Sequence, residues 1–135
     1  MTYNELNIGD SAFFEKTISE TDVYSFAGIT GDFNPAHINK THAENSRFGQ
    51  RIAHGMLSGS LFSTVIGMKL PGEGTIYLGQ TLEFKAPVYF GDTIKASVTI
   101  SEKLEKGRVK LKCSAINQDG TVVIEGEALV LPPRE

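Results

Sequence analysis

The fold is indicated first by residues 93–100, TIKASVTI, in which every second residue is apolar. The apolar positions are Ile94, Ala96, Val98 and Ile100. Successive side chains of a β-strand point to opposite faces, so a period of two gathers these four side chains on one face. The stretch therefore predicts a strand with one buried face.

The same alternation continues on both sides of this strand. Its other apolar members are Ile76, Leu78, Leu82, Phe84, Ala86, Val109, Leu111, Cys113 and Ala115. Turn-forming residues separate the stretches at 91–92, 106–107 and 117–120, and two prolines follow the last one, which spans residues 121–131. Regular short strands with tight turns predict an antiparallel sheet.

The first half of the chain shows mainly helical and irregular patterns. Residues 11–18 predict an opening strand, and Ser19 with Asp22 forms a capping-box pattern that predicts a helix ending near Gly28. A loop is predicted over residues 30–38, and a short helix over 40–46. This order of elements predicts an α+β domain that spans residues 1–135.

The longest predicted helix covers residues 55–68. Its apolar residues recur at spacings of three and four, at Met56, Leu57, Leu61, Val65 and Met68. Gly59 and Gly67 lie inside it, and each costs about 1 kcal/mol of helix propensity. We expect close packing against the sheet to compensate for both glycines.

Charge and composition exclude several classes of protein. The 135 residues include 13 basic and 16 acidic side chains, a net charge of −3, which argues against nucleic-acid binding and against docking on anionic membranes. No apolar run approaches the roughly 20 residues of a membrane span, and the first residues lack the plan of a secretory signal. The single cysteine, Cys113, fits a reducing compartment, so we expect a cytoplasmic protein.

Common catalytic and metal motifs are absent from the sequence. There is no phosphate-binding loop, dinucleotide fingerprint or nucleophile elbow. His37, His42 and His54 lack metal-ligand spacing, and no cysteine accompanies them. We therefore predict no metal site.

One dense segment remains, residues 31–37, GDFNPAH. It is typical of a turn in which Asp32 caps a helix or forms an Asx-turn. It also holds a carboxylate and an imidazole, Asp32 and His37, in a loop that Pro35 makes rigid, and such a pair can hold and polarise one water. From these residues alone both interpretations stay open.

A second candidate element is the start of the long helix, residues 53–56, AHGM. Free backbone N–H groups at a helix start can bind an anion, and Gly55 has no side chain to block a carbonyl. Alternatively, Gly55 is only a small residue at a crowded position. We interpret His54 as structural rather than catalytic.

Taken together, TGDFNPAH at 30–37 and HGML at 54–57 resemble the MaoC-like hydratases, and most closely the stand-alone (R)-specific enoyl-CoA hydratases of bacteria. The resemblance covers nearly the whole chain. Its other motifs are YSFA at 24–27, LFS at 61–63, PV at 87–88 after Phe84, and GDT at 91–93.

The resemblance implies a hot-dog fold, in which an antiparallel sheet wraps a long central helix. It implies reversible hydration of trans-2-enoyl-CoA to (R)-3-hydroxyacyl-CoA, a hydro-lyase reaction of fatty-acid metabolism or polyhydroxyalkanoate supply. Asp32 and His37 would be the catalytic pair, the Gly55 N–H would bind the thioester oxygen, and Ser63 would lie near the acyl pocket. No cofactor is implied, since coenzyme A is part of the substrate.

The resemblance also points to a homodimer, which would cover an exposed sheet edge. Two other functions stay open at this point. One is an acyl-CoA thioesterase of the same fold, although such enzymes usually lack the Asp32/His37 motif. The other is a non-catalytic acyl-CoA-binding domain, against which the intact acid/base pair argues.

Overall fold

The computed structural model describes all 135 residues as one antiparallel sheet with helices packed against it. The strands are β1 (Ser11–Thr17), β2 (Ile76–Phe84), β3 (Thr93–Lys103), β4 (Val109–Ile116) and β5 (Val122–Leu131). The helices are α1 (Glu20–Thr30), α2 (Pro35–Ile38), α3 (Lys40–Glu44), α4 (Gly55–Gly59) and α5 (Leu61–Met68). Short 3₁₀ turns cover Tyr3–Glu5 and Glu105–Gly107. The strand order is β1-β3-β4-β5-β2, which confirms the α+β prediction.

The inner face of the sheet forms the core with α5. Every apolar position of the 93–100 stretch is buried, as predicted, and so are the alternating positions of β4. Helix α5 lies across β3 and β1 and buries Phe62, Val65 and Ile66 against them. A sheet that wraps a helix in this way is the hot-dog arrangement.

Strand β2 departs from the predicted pattern. It lies at one end of the sheet and pairs only with β5. Ile76, Leu78 and Phe84 are 55%, 48% and 52% exposed. The prediction that this strand buries one face is therefore only partly correct within a single chain, since Leu82 does pack against the core. The other three stay about half exposed, because the strand lies at the sheet edge and its register shifts between Tyr77 and Gly79.

The long helix over residues 55–68 is divided into α4 and α5 at Ser60. The Ser60 hydroxyl donates to the Met56 carbonyl at 2.7 Å, a back-bond that bends helices. Close packing accounts for Gly59, where an added Cβ would lie 3.1 Å from Leu82, but it does not account for Gly67, where such an atom would meet nothing within 4 Å. No helix has both the length and the apolar character needed to cross a bilayer.

The segment between the first strand and the long helix is more helical than predicted. Ser19 and Asp22 form the expected capping box, and α1 then continues to Thr30, where Gly31 ends it in the left-handed region at φ 80°. Residues 35–38, predicted as loop, form α2, because Pro35 occupies the first helical position and Asn34 caps it. This short helix positions the histidine of the dense segment.

Candidate active site

The loop that carries Asp32 is built from local hydrogen bonds. The Asp32 carboxylate accepts the Asn34 N–H at 3.2 Å through Oδ1, and the Asp32 N–H donates to the Thr30 hydroxyl at 3.1 Å. The Asn34 side chain in turn caps α2 by accepting the Ala36 N–H at 3.0 Å. The Asx-turn interpretation is therefore correct, but it uses only one carboxylate oxygen. The side chain stays exposed, with Oδ2 free of protein partners.

His37 lies on α2 and is buried, with 8% of the residue exposed. Its Nδ1–H donates to the Ile52 carbonyl at 2.7 Å, and the Ile52 N–H donates to the Ala36 carbonyl at 3.1 Å. The two bonds fix the ring from one side and leave Nε2 free. Burial lowers the pKa of His37 below its ordinary value of 6.5, with a smaller lowering from His54 and opposite effects from the Ile52 carbonyl and Asp32.

His54 belongs to the same cluster, which the sequence interpretation missed. The residue is 2% exposed, and its ring stacks on the ring of His37, with centroids 3.8 Å apart and planes inclined by 29°. Its Nε2 lies 2.9 Å from the backbone carbonyl oxygen of Asp32. In the sequence, 17 positions separate His54 from His37, so no spacing relates the two residues. The only signal for His54 was its place beside Gly55.

The three side chains converge on one small space. Asp32, His37 and His54 each present a polar atom within 4.8 Å of the others. Two hydrogen bonds of about 2.8 Å to one water span atoms up to about 5 Å apart. The arrangement therefore lets a single water contact the Asp32 carboxylate and the His37 ring together. Nε2 is the ring nitrogen left for this contact, because Nδ1 is bonded to the Ile52 carbonyl.

The same atoms also have the spacing of a metal cluster, which no spacing in the sequence indicated. The geometry of the rings does not favour that use. The planes of His37 and His54 are close to parallel, so their in-plane lone pairs do not converge as a tetrahedral site requires. The absence of a metal site stays a prediction.

Gly55 begins α4, and its N–H has no hydrogen-bond partner within the chain. Two residues before Gly55, the Ala53 N–H donates to the Val88 carbonyl at 2.7 Å. This bond connects the start of α4 to the loop after β2. The ring of Phe84 lies directly over Gly55, where an added Cβ would approach it to 2.7 Å. The position requires glycine unless this ring moves.

An open, mostly apolar pocket of about 440 Å³ adjoins Gly55. Its lining residues are Phe48, Ile52, Ala53, Gly55, Met56, Ser58, Phe84, Lys85, Ala86, Pro87, Val88 and Ile124. The Ser58 hydroxyl is fully buried and has no partner in the protein. Ser63, predicted near the acyl pocket, lies exposed on α5 and does not line this pocket.

Comparison with known proteins identifies close relatives. The family described as MaoC like domain matches residues 6–122, which include Asp32, His37, His54 and Gly55. An (R)-specific enoyl-CoA hydratase of Rhodospirillum rubrum is 47% identical over 131 residues, or 97% of this chain and 91% of that protein. An R-hydratase of Pseudomonas aeruginosa, 46% identical, superposes with a TM-score of 0.95 over 99% of this chain and 86% of that one. The (R)-hydratase of A. caviae involved in PHA biosynthesis, 40% identical, superposes with a TM-score of 0.92 over 95% of this chain and 98% of that one.

Proposed function

The chain belongs to the MaoC-like domain family, and from that premise we propose that it adds water reversibly to trans-2-enoyl-CoA to give (R)-3-hydroxyacyl-CoA. It is an enzyme of the (R)-specific enoyl-CoA hydratase class, to which relatives at 40–47% identity belong. The proposal goes beyond the class by assigning the steps to residues. The observation that carries it is that a carboxylate oxygen of Asp32 and a ring nitrogen of His37 lie within 4.8 Å of each other.

We assign water activation to Asp32 and His37. The enoyl thioester is electron-poor at C3, so the water oxygen bonds there while one of its protons passes to the Asp32 carboxylate. His37 holds the same water through Nε2, because Nδ1 is engaged by the Ile52 carbonyl. The lowered pKa of His37 favours the neutral ring, which can accept a hydrogen bond from the water at neutral pH.

Attack at C3 moves the electron pair of the double bond towards the thioester carbonyl, whose oxygen gains negative charge. We assign the Gly55 N–H as a donor to this oxygen, since it has no other partner and starts a helix. Removing one such donor typically costs about 2.7–4 kcal/mol of transition-state stabilisation. The enolate then takes up at C2 the proton that the water gave to Asp32, directly or through His37, which restores the carboxylate and completes the addition.

The pocket beside Gly55 is suited to an apolar group of the thioester, because its lining is apolar except at Ser58 and Lys85. The reaction as assigned uses water, a base and a backbone donor, so we propose that it needs no cofactor or metal beyond the coenzyme A of the substrate. We propose that residues 1–135 act as one hydratase domain in the cytoplasm. The single cysteine, which is free and buried, is compatible with a reducing compartment.

We further propose that the enzyme is a homodimer joined along β2. This edge is apolar and open, with Ile76, Leu78 and Phe84 about half exposed. The opposite edge, β1, is protected: Lys69 donates to the Phe13 carbonyl at 2.6 Å, and the Lys95 ammonium lies 4.3 Å from the Phe13 ring centre. Charged side chains that cover an edge strand oppose pairing, whereas an open apolar edge favours it.

The test of the reaction uses crotonyl-CoA with a thiol reagent present. Loss of the ultraviolet absorbance of the conjugated thioester without release of free CoA is the expected result, and chiral analysis should give the (R) product. Release of free CoA would instead identify a thioesterase. Binding without either change would identify an acyl-CoA-binding domain and overturn the proposal.

A further inference from the structure

We propose that His54 is a positioning residue, which holds the Asp32 loop and the His37 ring in fixed positions relative to each other. It does so through a hydrogen bond to the loop and a ring stack on His37. The inference rests on the proposed roles of Asp32 and His37. In this role His54 does not contact the substrate, and it does more than fill space in the core.

The first contact fixes the loop. Every hydrogen bond that the loop 31–34 makes is local, to residues within about four positions along the chain, with one exception. That exception is the bond from His54 Nε2 to the Asp32 carbonyl oxygen, 2.9 Å long, which joins residues 22 positions apart. His54 therefore supplies the only hydrogen bond between this exposed loop and a distant part of the fold.

The second contact fixes the imidazole of His37. The bond from Nδ1 to the Ile52 carbonyl leaves that ring free to tilt about the bond, and the stack with His54 at 3.8 Å removes this freedom. The His54 ring is itself held by Phe26 of α1, with centroids 4.9 Å apart. The His54 side chain thus fixes the position of the Asp32 loop relative to the His37 ring.

Packing alone does not explain a histidine at this position. The Asp32 carbonyl can only accept a hydrogen bond, so Nε2 carries the proton and Nδ1 is left as an acceptor. Nδ1 is buried and has no partner in the protein, an arrangement that folded proteins generally avoid. A phenylalanine would fill the same space without an unsatisfied atom, so the N–H donor is the property that histidine adds.

Two substitutions separate the two contacts. His54→Phe keeps the ring and removes the donor, whereas His54→Gln keeps a donor at the place of Nε2 and removes the ring. We expect His54→Phe to fold and to lower kcat for crotonyl-CoA by about 10- to 100-fold with KM changed less than about threefold, because misplacement of the reacting groups slows chemistry more than binding. His54→Gln should recover part of that loss, and His42→Phe, at an exposed histidine of α3, should match the wild type.

A folded His54→Phe variant with wild-type kcat would overturn the inference, and so would an equal loss of kcat in His42→Phe. A second measurement does not depend on any variant folding. Nitrogen NMR of the wild-type protein should show the proton of neutral His54 on Nε2, and a proton on Nδ1 instead would also overturn it. Full activity of Asp32→Asn would contradict the proposed function, whereas its loss together with an unaffected His54→Phe would contradict only the role of His54.

Discussion

The Nδ1 atom of His37 lies 2.7 Å from the carbonyl oxygen of Ile52, and this bond decides how the ring can act. A carbonyl oxygen accepts only, so Nδ1 carries the proton and Nε2 is the nitrogen left to accept a hydrogen bond. Ile52 is fixed in turn by the bond from its N–H to Ala36 and by a strand-like bridge to Tyr89. The orientation of His37 therefore depends on the segment before α4, not on α2 alone.

The lowered pKa of His37 predicts the acid side of the pH profile. Because burial favours the neutral ring in the free enzyme, kcat/KM for crotonyl-CoA should persist as pH falls through 6.5 and should decline only at lower pH. Initial rates measured between about pH 4.5 and 8 test this. A decline already centred above pH 6.5 would contradict it.

The same pKa predicts how His37 affects stability. The pKa in the folded state lies below the unfolded value near 6.5, so the unfolded chain binds the proton more readily. The contribution of His37 is fully present above pH 6.5 and is lost as pH falls through the folded pKa. Denaturation of wild type and His37→Ala at about pH 7.5 and 5.5 should show a smaller loss of stability on acidification in the variant. An equal or larger loss in the variant would contradict the prediction.

Asp32→Asn should remove the base and keep the loop. The amide oxygen can still accept the Asn34 N–H, so circular dichroism and melting temperature should be unchanged, while hydration of crotonyl-CoA falls by at least about a hundredfold. His37→Ala should lose activity to a similar extent. Asp119→Asn, at an exposed aspartate of the β4–β5 turn, is the matched control. Wild-type rates in a folded Asp32→Asn protein would exclude Asp32 as the base.

Gly55→Val should abolish most of the activity, but the structure shows two possible causes. The added side chain would crowd the approach to the Gly55 N–H, and it would also collide with Phe84. The double variant Gly55→Val/Phe84→Ala removes the collision and leaves the crowding. We expect the double variant to regain stability without regaining activity. If the double variant regained both stability and activity, and Phe84→Ala alone were fully active, the loss of activity in Gly55→Val would be due to the collision with Phe84. That result would exclude the donor role of Gly55.

The dimer prediction concerns the β2 edge. Light scattering at assay concentration should give at least twice the chain mass of 14.7 kDa, and Leu78→Lys should lower it by placing a charge on the apolar edge. Ile8→Lys, at an isoleucine that is 66% exposed and lies outside the sheet, should leave the mass unchanged. A fully active wild-type protein at 14.7 kDa would contradict the proposed dimer.

The two glycines of the long helix should respond differently to alanine. At Gly67 the added methyl group meets nothing within 4 Å, so Gly67→Ala should raise the free energy of unfolding by up to about 1 kcal/mol. At Gly59 the methyl group would press on Leu82 at 3.1 Å, and the gain should be smaller or reversed. Chemical denaturation measures both, and a larger gain at Gly59 would contradict the close packing of Gly59 against Leu82.

The sequence alone was sufficient for the elements whose signals are local. Alternation in 93–100 and 109–115 predicted buried strand faces, because a strand repeats every two residues wherever it lies. Ser19 and Asp22 predicted a helix start, since capping depends on residues three positions apart. The motifs that carry Asp32, His37 and Gly55 are likewise contiguous, so two short stretches of sequence carry the family resemblance.

Tertiary structure decided what depends on residues distant in the chain. The exposure of β2 followed from its place at the end of the sheet, which alternation within the strand does not encode. The different surroundings of Gly59 and Gly67 followed from which part of the helix lies against Leu82 of the sheet. His54 joined the site through a stack on His37, 17 positions away, and a hydrogen bond to Asp32, 22 positions away. These contacts exist only once the chain has folded, and no spacing in the sequence relates the side chains that they bring together.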